Sequence, residues 1–252
     1  MGSRDRPHKE VKKKPKDKGA AQPKLASLSE APQQAELISK YQKLVAPIAS
    51  EVIGHVSTDV TKTQNGAGES QLGDLIADAQ LADESVATGG EEPVIAFMNP
   101  GGIRADLIFA NSKRGEAPGD ITYEEAFSVQ PFNNYLVSMN LTGKQIKAVL
   151  TQQVTDANEG APKVLQVSKG FTYRLGANGP VEGSVQLNGN AIEDDQTYRI
   201  VTNNFLSDGG DGFPVFTGGT NKYFGGLDID AFSDYLGANR PYTPGPLDRI
   251  TE

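Results

Sequence analysis

The chain of 252 residues has no cysteine and only two histidines, His8 and His55. Without cysteine there is no disulfide, no zinc–thiolate site and no cysteine nucleophile. Two histidines exclude a histidine-rich metal site built within the chain. The lack of thiols is compatible with a bacterial cytoplasm and with an oxidising exterior. No apolar run approaches the roughly 18 residues that a bilayer-spanning helix requires.

Basic charge is scarce outside one segment. Residues 1–32 hold nine Lys/Arg against four Asp/Glu, whereas residues 33–252 hold fifteen against twenty-eight. An acidic body argues against a general nucleic-acid surface. Residues 1–32 include Lys12-Lys-Lys-Pro-Lys-Asp-Lys18 and almost no large apolar side chain. Such a stretch cannot bury enough surface to offset its ordering entropy, which predicts a disordered basic tail, natural or left by cloning. No apolar stretch follows its basic start, so it is not a signal peptide as it stands.

From Pro32 onward Leu37, Ile38, Tyr41, Leu44, Val45 and Ile48 recur at helical spacing, predicting an amphipathic linker helix over 33–51 that Pro47 kinks or ends. Val52 to Val60 alternates as a strand with His55 inside it, where a lone histidine is structural. Ser70 is placed to cap a helix whose apolar face carries Leu72, Leu75, Ile76 and Ala79. Asp74 and Asp78 fall on one side of that helix, the pattern of a solvated face. Pro93-Val-Ile-Ala-Phe-Met98 is a strand buried on both faces. It ends in Asn99-Pro-Gly-Gly-Ile-Arg104, where Gly101 and Gly102 leave backbone N–H groups open and Arg104 offers a fixed fork for carboxylate or phosphate.

Ile121 to Phe127 is a short helix capped by Thr122. The turn Gln130-Pro-Phe-Asn-Asn134 precedes a strand, Tyr135 to Leu141, and places Phe132 where a loop is ordinarily polar, either for local packing or for a ligand. Thr142 caps a helix carrying Ile146, Val149, Leu150 and Val154. Residues 163–202 form several short strands, with Leu187-Asn-Gly-Asn as a hairpin turn, and a last helix runs from Ile229 to Leu236. The strand Thr197 to Thr202 leads into Asn203-Asn-Phe-Leu-Ser-Asp-Gly-Gly-Asp-Gly-Phe213. Gly-Gly-Asp-Gly is common turn chemistry by itself. An aromatic face (Phe205) beside a carboxylate (Asp211) is also a way to hold a flat ring bearing N–H groups.

Four motifs therefore stand in one order: Glu69-Ser-x-Leu-Gly-Asp-Leu-x-x-Asp-Ala, Asn99-Pro-Gly-Gly-Ile-Arg104, Pro131-Phe-Asn-Asn134 and Asn204-Phe-x-x-x-Gly-Gly-Asp-Gly-Phe213. As an ordered set they resemble the C-terminal domain of the 5′-nucleotidase family, over about residues 33–252. The resemblance implies a single layered α/β (α+β) domain over 52–252, preceded by that family's interdomain helix. It implies that a nucleoside or 5′-nucleotide is bound with its base stacked between Phe132 and Phe205 and its ribose hydroxyls on Asp211. Asn99 and the Gly101–Gly102 backbone would then lie near base and phosphate, with Arg104 gripping the substrate. Many relatives carry one or two arginines just before the Glu-Ser-x-Leu-Gly motif, where this chain has Asn65-Gly-Ala-Gly68. The family hydrolyses phosphate esters with two divalent metals in an N-terminal metallophosphatase domain, whose Asp-x-His, Gly-Asn-His and Gly-His-x-His signatures do not occur in this sequence. The expectation is a substrate-recognition part with no catalytic residue, metal or other cofactor of its own. Such a part could work with a separate metallophosphatase domain or chain, or survive as a non-enzymatic surface scaffold. The resemblance also implies a secreted, periplasmic or cell-surface location.

Overall fold

A computed structural model describes residues 32–89 and 91–252; apart from Pro32, the tail expected over residues 1–32 lies outside the described residues. In chain order the elements are α1 (Pro32–Ala49), β1 (Val52–His55), α2 (Gln71–Ala82), β2 (Ile95–Met98), β3 (Asp120–Thr122), α3 (Tyr123–Val129), β4 (Tyr135–Thr142), α4 (Gly143–Gln152), β5 (Gln166–Val167), β6 (Phe171–Gly176), β7 (Gly179–Pro180), β8 (Gln186–Leu187), β9 (Asn190–Ala191), β10 (Thr197–Asn203), α5 (Asn204–Ser207), β11 (Thr220–Leu227), α6 (Asp228–Ala238) and β12 (Ile250–Thr251). The apolar residues expected on the first helix all lie in α1, which continues two residues past Pro47 before ending.

Within residues 46–252 the central element is a five-stranded mixed sheet in the order β11-β4-β10-β2-β5. β2 and β10 run parallel, while β4 is antiparallel to β10 and to β11, and β5 to β2. The two-residue side-chain period sends alternate residues to opposite faces. On one face Ile95, Phe97, Val137, Met139 and Ile200 pack with Ile146, Val149 and Leu150 of α4 and with Phe171, Tyr173 and Ile250 of a second sheet. That second sheet is ordered β12-β6-β8-β9, with β7 paired to β6. On the other face Ala96, Leu136 and Val201 meet Ala77 of α2 and Ala231 of α6. A further cluster joins Leu72, Leu75, Ile76 and Ala79 to Ile229, Phe232 and Leu236. Full burial of each such large apolar side chain contributes about 1.5–3 kcal/mol, before the entropy of ordering the chain is counted against it.

Helix starts follow their caps. Ser70 Oγ accepts the Gly73 N–H at 3.1 Å, and Thr122 and Thr142 form capping boxes with Glu125 and Gln145. The hairpin β8–β9 turns through Asn188 (φ 52°) and Gly189 (φ 77°), both left-handed as a type I′ turn demands.

Several expectations need correction. The strand expected to Val60 stops at His55, after which Val56 and Val60 make only isolated bridges to Tyr242 and Leu107. Ile121 belongs to β3, and the helix begins after its Thr122 cap. Val154 lies beyond the end of α4. Asp74 and Asp78 do not form a solvated face: Asp74 is buried, and Asp78 Oδ1 and Oδ2 accept Arg249 Nη1 and Nη2 at 2.7 and 2.8 Å.

Candidate functional site

Because β2 and β10 are parallel neighbours, the segments leaving their C-terminal ends emerge side by side. β4 begins opposite the end of β10, with Leu136 across from Asn203. The loops at 99–104, 130–134 and 204–213 therefore gather at one end of the central sheet, where ligand loops collect in α/β folds. They enclose a cleft of about 450 Å³ lined by Asn99, Gly101, Gly102, Arg104, Phe132, Asn134, Phe205 and Asp211. All seven residues singled out from the sequence line this cleft, joined by Asn134.

The cleft presents two aromatic side chains. Phe132 is 54% and Phe205 45% exposed; neither is spent on core packing, which answers the alternative left open for Phe132. The Arg104 guanidinium carbon lies 5.9 Å from the Phe132 ring centre, and its Nη1 donates to Gly101 O at 3.0 Å. Phe205 rests on Gly210, where an added Cβ would come within 2.6 Å of the ring. Only glycine permits that approach. The Gly102 N–H is not open as expected: it donates to Asn99 O at 3.0 Å.

Beneath the aromatics runs a chain of polar groups. Asn203 Oδ1 accepts the Leu206 N–H at 2.9 Å and so caps α5, while its Nδ2 donates to Asn99 Oδ1 at 3.0 Å. Asn99 Nδ2 donates to Asp211 Oδ2 at 2.7 Å. Asn99 and Asn203 are buried, and a buried amide satisfied at both ends holds a fixed orientation. Asp211 sits between Gly210 and Gly212 with φ at 56°, a left-handed conformation rare outside glycine. Lys163 Nζ donates to Asp211 Oδ1 at 2.9 Å, and Asn158 Nδ2 donates to Asp211 O at 3.0 Å. Asn134 Nδ2 donates to Asp228 Oδ2 at 3.1 Å. Burial pushes the Asp228 carboxyl up to about 6, against the pull of that hydrogen bond.

Two exposed rings, an oriented carboxylate and a guanidinium on one wall suit a flat ring that carries hydroxyls and an anionic group. Lys163 and Asn158 were not legible as site residues, since nothing local to them marks a partner so distant in sequence. His55 lies away from these loops, its Nδ1 3.0 Å from Asp120 Oδ1 and its ring edge-on to Phe109. Among the described residues no three His, Asp or Glu side chains gather in a way that would hold a metal ion. No helix among the described residues is long and apolar enough to cross a membrane.

Comparison with known proteins adds relatives to this geometry. The family model described as "5'-nucleotidase, C-terminal domain" matches residues 52–218. The chain is 33% identical over 240 residues to the Trifunctional nucleotide phosphoesterase protein YfkN of Bacillus subtilis, covering 87% of this chain and 16% of that protein. It is 33% identical over 182 residues to the Cell wall protein Lmo0130 of Listeria monocytogenes, covering 67% of this chain and 22% of that one. The crystal structure of a 5'-nucleotidase precursor from Thermus thermophilus superposes with a TM-score of 0.68 at 30% identity, over 86% of this chain and 42% of that one. The chain thus spans less than half the length of each of these relatives.

Proposed function

From the premise that this chain belongs to the family of 5′-nucleotidase C-terminal domains, we propose that it recognises the nucleoside part of a 5′-nucleotide in the cleft at the end of the central sheet. Phe132 and Phe205 stack the base, Asp211 accepts the ribose hydroxyls, and Arg104 with the Gly101–Gly102 turn faces the phosphate side. One observation carries this reading: three loops distant in sequence bring two exposed rings, an oriented carboxylate and a guanidinium around one cleft of about 450 Å³. Stacking contributes about 1–3 kcal/mol per base and tolerates different bases.

Hydrolysis of the phosphate ester belongs, in this proposal, to a metallophosphatase domain or chain, and residues 46–252 supply recognition. The protein acts outside the cytoplasm, at the cell surface or in a secreted form, as the cell wall relative suggests.

Calorimetric titration of the purified chain with adenosine and then AMP, without added metal, tests the reading. Saturable binding of both is expected, with adenosine about tenfold weaker in Phe205→Ala and in Phe132→Ala. No heat with either ligand, or binding indifferent to both substitutions, would overturn it. Metal-dependent release of phosphate from AMP by the pure chain would refute the assignment of hydrolysis to another domain.

A further inference from the structure

We infer that Lys163 is a positioning residue that holds the Asp211 carboxylate ready for a vicinal diol, so that it sets selectivity for ribose over deoxygenated sugars. The inference rests on the nucleoside-binding reading and extends it to a residue outside the four motifs. Lys163 Nζ grips Asp211 twice, donating to Oδ1 at 2.9 Å and to the backbone O at 3.3 Å. One ammonium thus ties the side-chain torsion of Asp211 to its left-handed backbone. Asn99 Nδ2 occupies Oδ2 at 2.7 Å. An ionised carboxylate has about four lone-pair sites, so one donor on each oxygen leaves one acceptor site on each. Two neighbouring acceptors match two neighbouring hydroxyls.

The grip is built into the fold. The Lys163 N–H donates to Gln153 O at 3.0 Å, and Gln153 Oε1 accepts the Leu165 N–H and the Tyr173 hydroxyl. Gln153 itself is fully buried just past the end of α4. The Lys163 backbone is therefore anchored while its side chain, 40% exposed, reaches Asp211. The same loop backs the turn from below, because a Cβ at Gly212 would lie 2.8 Å from Ala157 Cβ. Without the ammonium, Asp211 keeps the Asn158 bond to its backbone O but loses the donor that fixes Oδ1.

The experiment compares adenosine with 2′,3′-dideoxyadenosine by calorimetry on the whole chain, as wild type, Lys163→Met and Lys163→Arg. Lys163→Met is expected to weaken adenosine about tenfold and to leave dideoxyadenosine within twofold of wild type, collapsing the ratio between them. Lys163→Arg, which keeps the charge, is expected to restore most of the ratio. Unchanged dideoxyadenosine binding also reports an intact cleft. If wild type binds both ligands and Lys163→Met keeps their ratio, or weakens both equally, Lys163 is a structural ion pair and the inference fails alone. If wild type binds neither ligand, the nucleoside-binding reading falls and takes this inference with it.

Discussion

Asp228, in the first turn of α6, is 1% exposed, and its two carboxylate oxygens differ sharply in surroundings. Oδ2 accepts from Asn134 Nδ2, and the Asp228 N–H returns a bond to Asn134 O at 2.8 Å. Oδ1 is buried with no hydrogen-bond partner among the described residues. A buried acceptor without a donor favours the protonated acid, and burial accordingly lifts this carboxyl from 3.8 to about 6. The folded pKa lies above the unfolded one. Its stabilising contribution is therefore fully present below about pH 4 and is lost as pH rises through about 6. A rise of that size corresponds to about 3 kcal/mol at most. Asp228→Asn mimics the protonated acid and removes this titration. Urea unfolding at about pH 4.5 and pH 7.5 should show wild type losing more stability than the variant between the two values. Equal losses in both proteins would sink the account. Asp228 also holds Asn134 on the cleft wall, and that bond is strengthened when the carboxyl ionises.

At the scale of elements, what was legible is what is written locally. Ser70, Thr122 and Thr142 each announce a helix by offering an oxygen to free N–H groups one turn on. Asn188-Gly189 announces a hairpin because both positions need positive φ. β11 has no such mark: Thr220-Asn-Lys-Tyr-Phe-Gly-Gly-Leu227 is an edge strand with two register shifts against β4, and its glycines read as loop. His55 ends β1 where the alternation promised five more residues, since Tyr242 and Leu107 offer single bridges in place of a ladder. Ser70 shows how a local signal acquires a long-range partner. Its Oγ caps α2 and also donates to Gln166 Oε1 at 2.9 Å, while its N–H meets the same oxygen at 2.7 Å. Gly73 follows because a Cβ there would collide with that side chain. Ser70→Ala is expected to cost about 1–2 kcal/mol, the cap plus one buried hydrogen bond. Denaturant midpoints measure it, and a change below a few tenths of a kcal/mol would mean that Gln166 takes over the cap.

At the scale of the whole described domain, the cleft was legible and its supports were not. Asn99, Phe132, Phe205 and Asp211 sit in short motifs at strand ends, and the topology of β2, β10 and β4 brings those ends together. The groups that hold the layers to one another come from opposite ends of the sequence, so composition and spacing could not pair them. Arg249 is the clearest case, and it explains why Asp74 and Asp78 misread as a solvated face. Its guanidinium makes a two-point bond to Asp78 of α2 and donates to Val167 O of β5 at 2.8 Å. Its backbone N–H and that of Ile250 donate to the two oxygens of Glu69, each at 3.0 Å. Ile250 in turn pairs with Tyr173 of β6 in the second sheet. One residue therefore links the helical layer, the central sheet and the second sheet. Asp74, 3.5 Å from Arg249 Nε, is pushed far above the ordinary carboxylate range, first by burial and then by the charge of Glu69, with Arg249 pulling it down. Arg249→Ala would leave Glu69, Asp74 and Asp78 facing one another without a counter-charge. Breaking a buried pair in this way costs about 3–5 kcal/mol. Chemical denaturation of Arg249→Ala measures the loss. A loss under about 1 kcal/mol would mean that solvent reaches the cluster and that the layers are held by apolar packing alone.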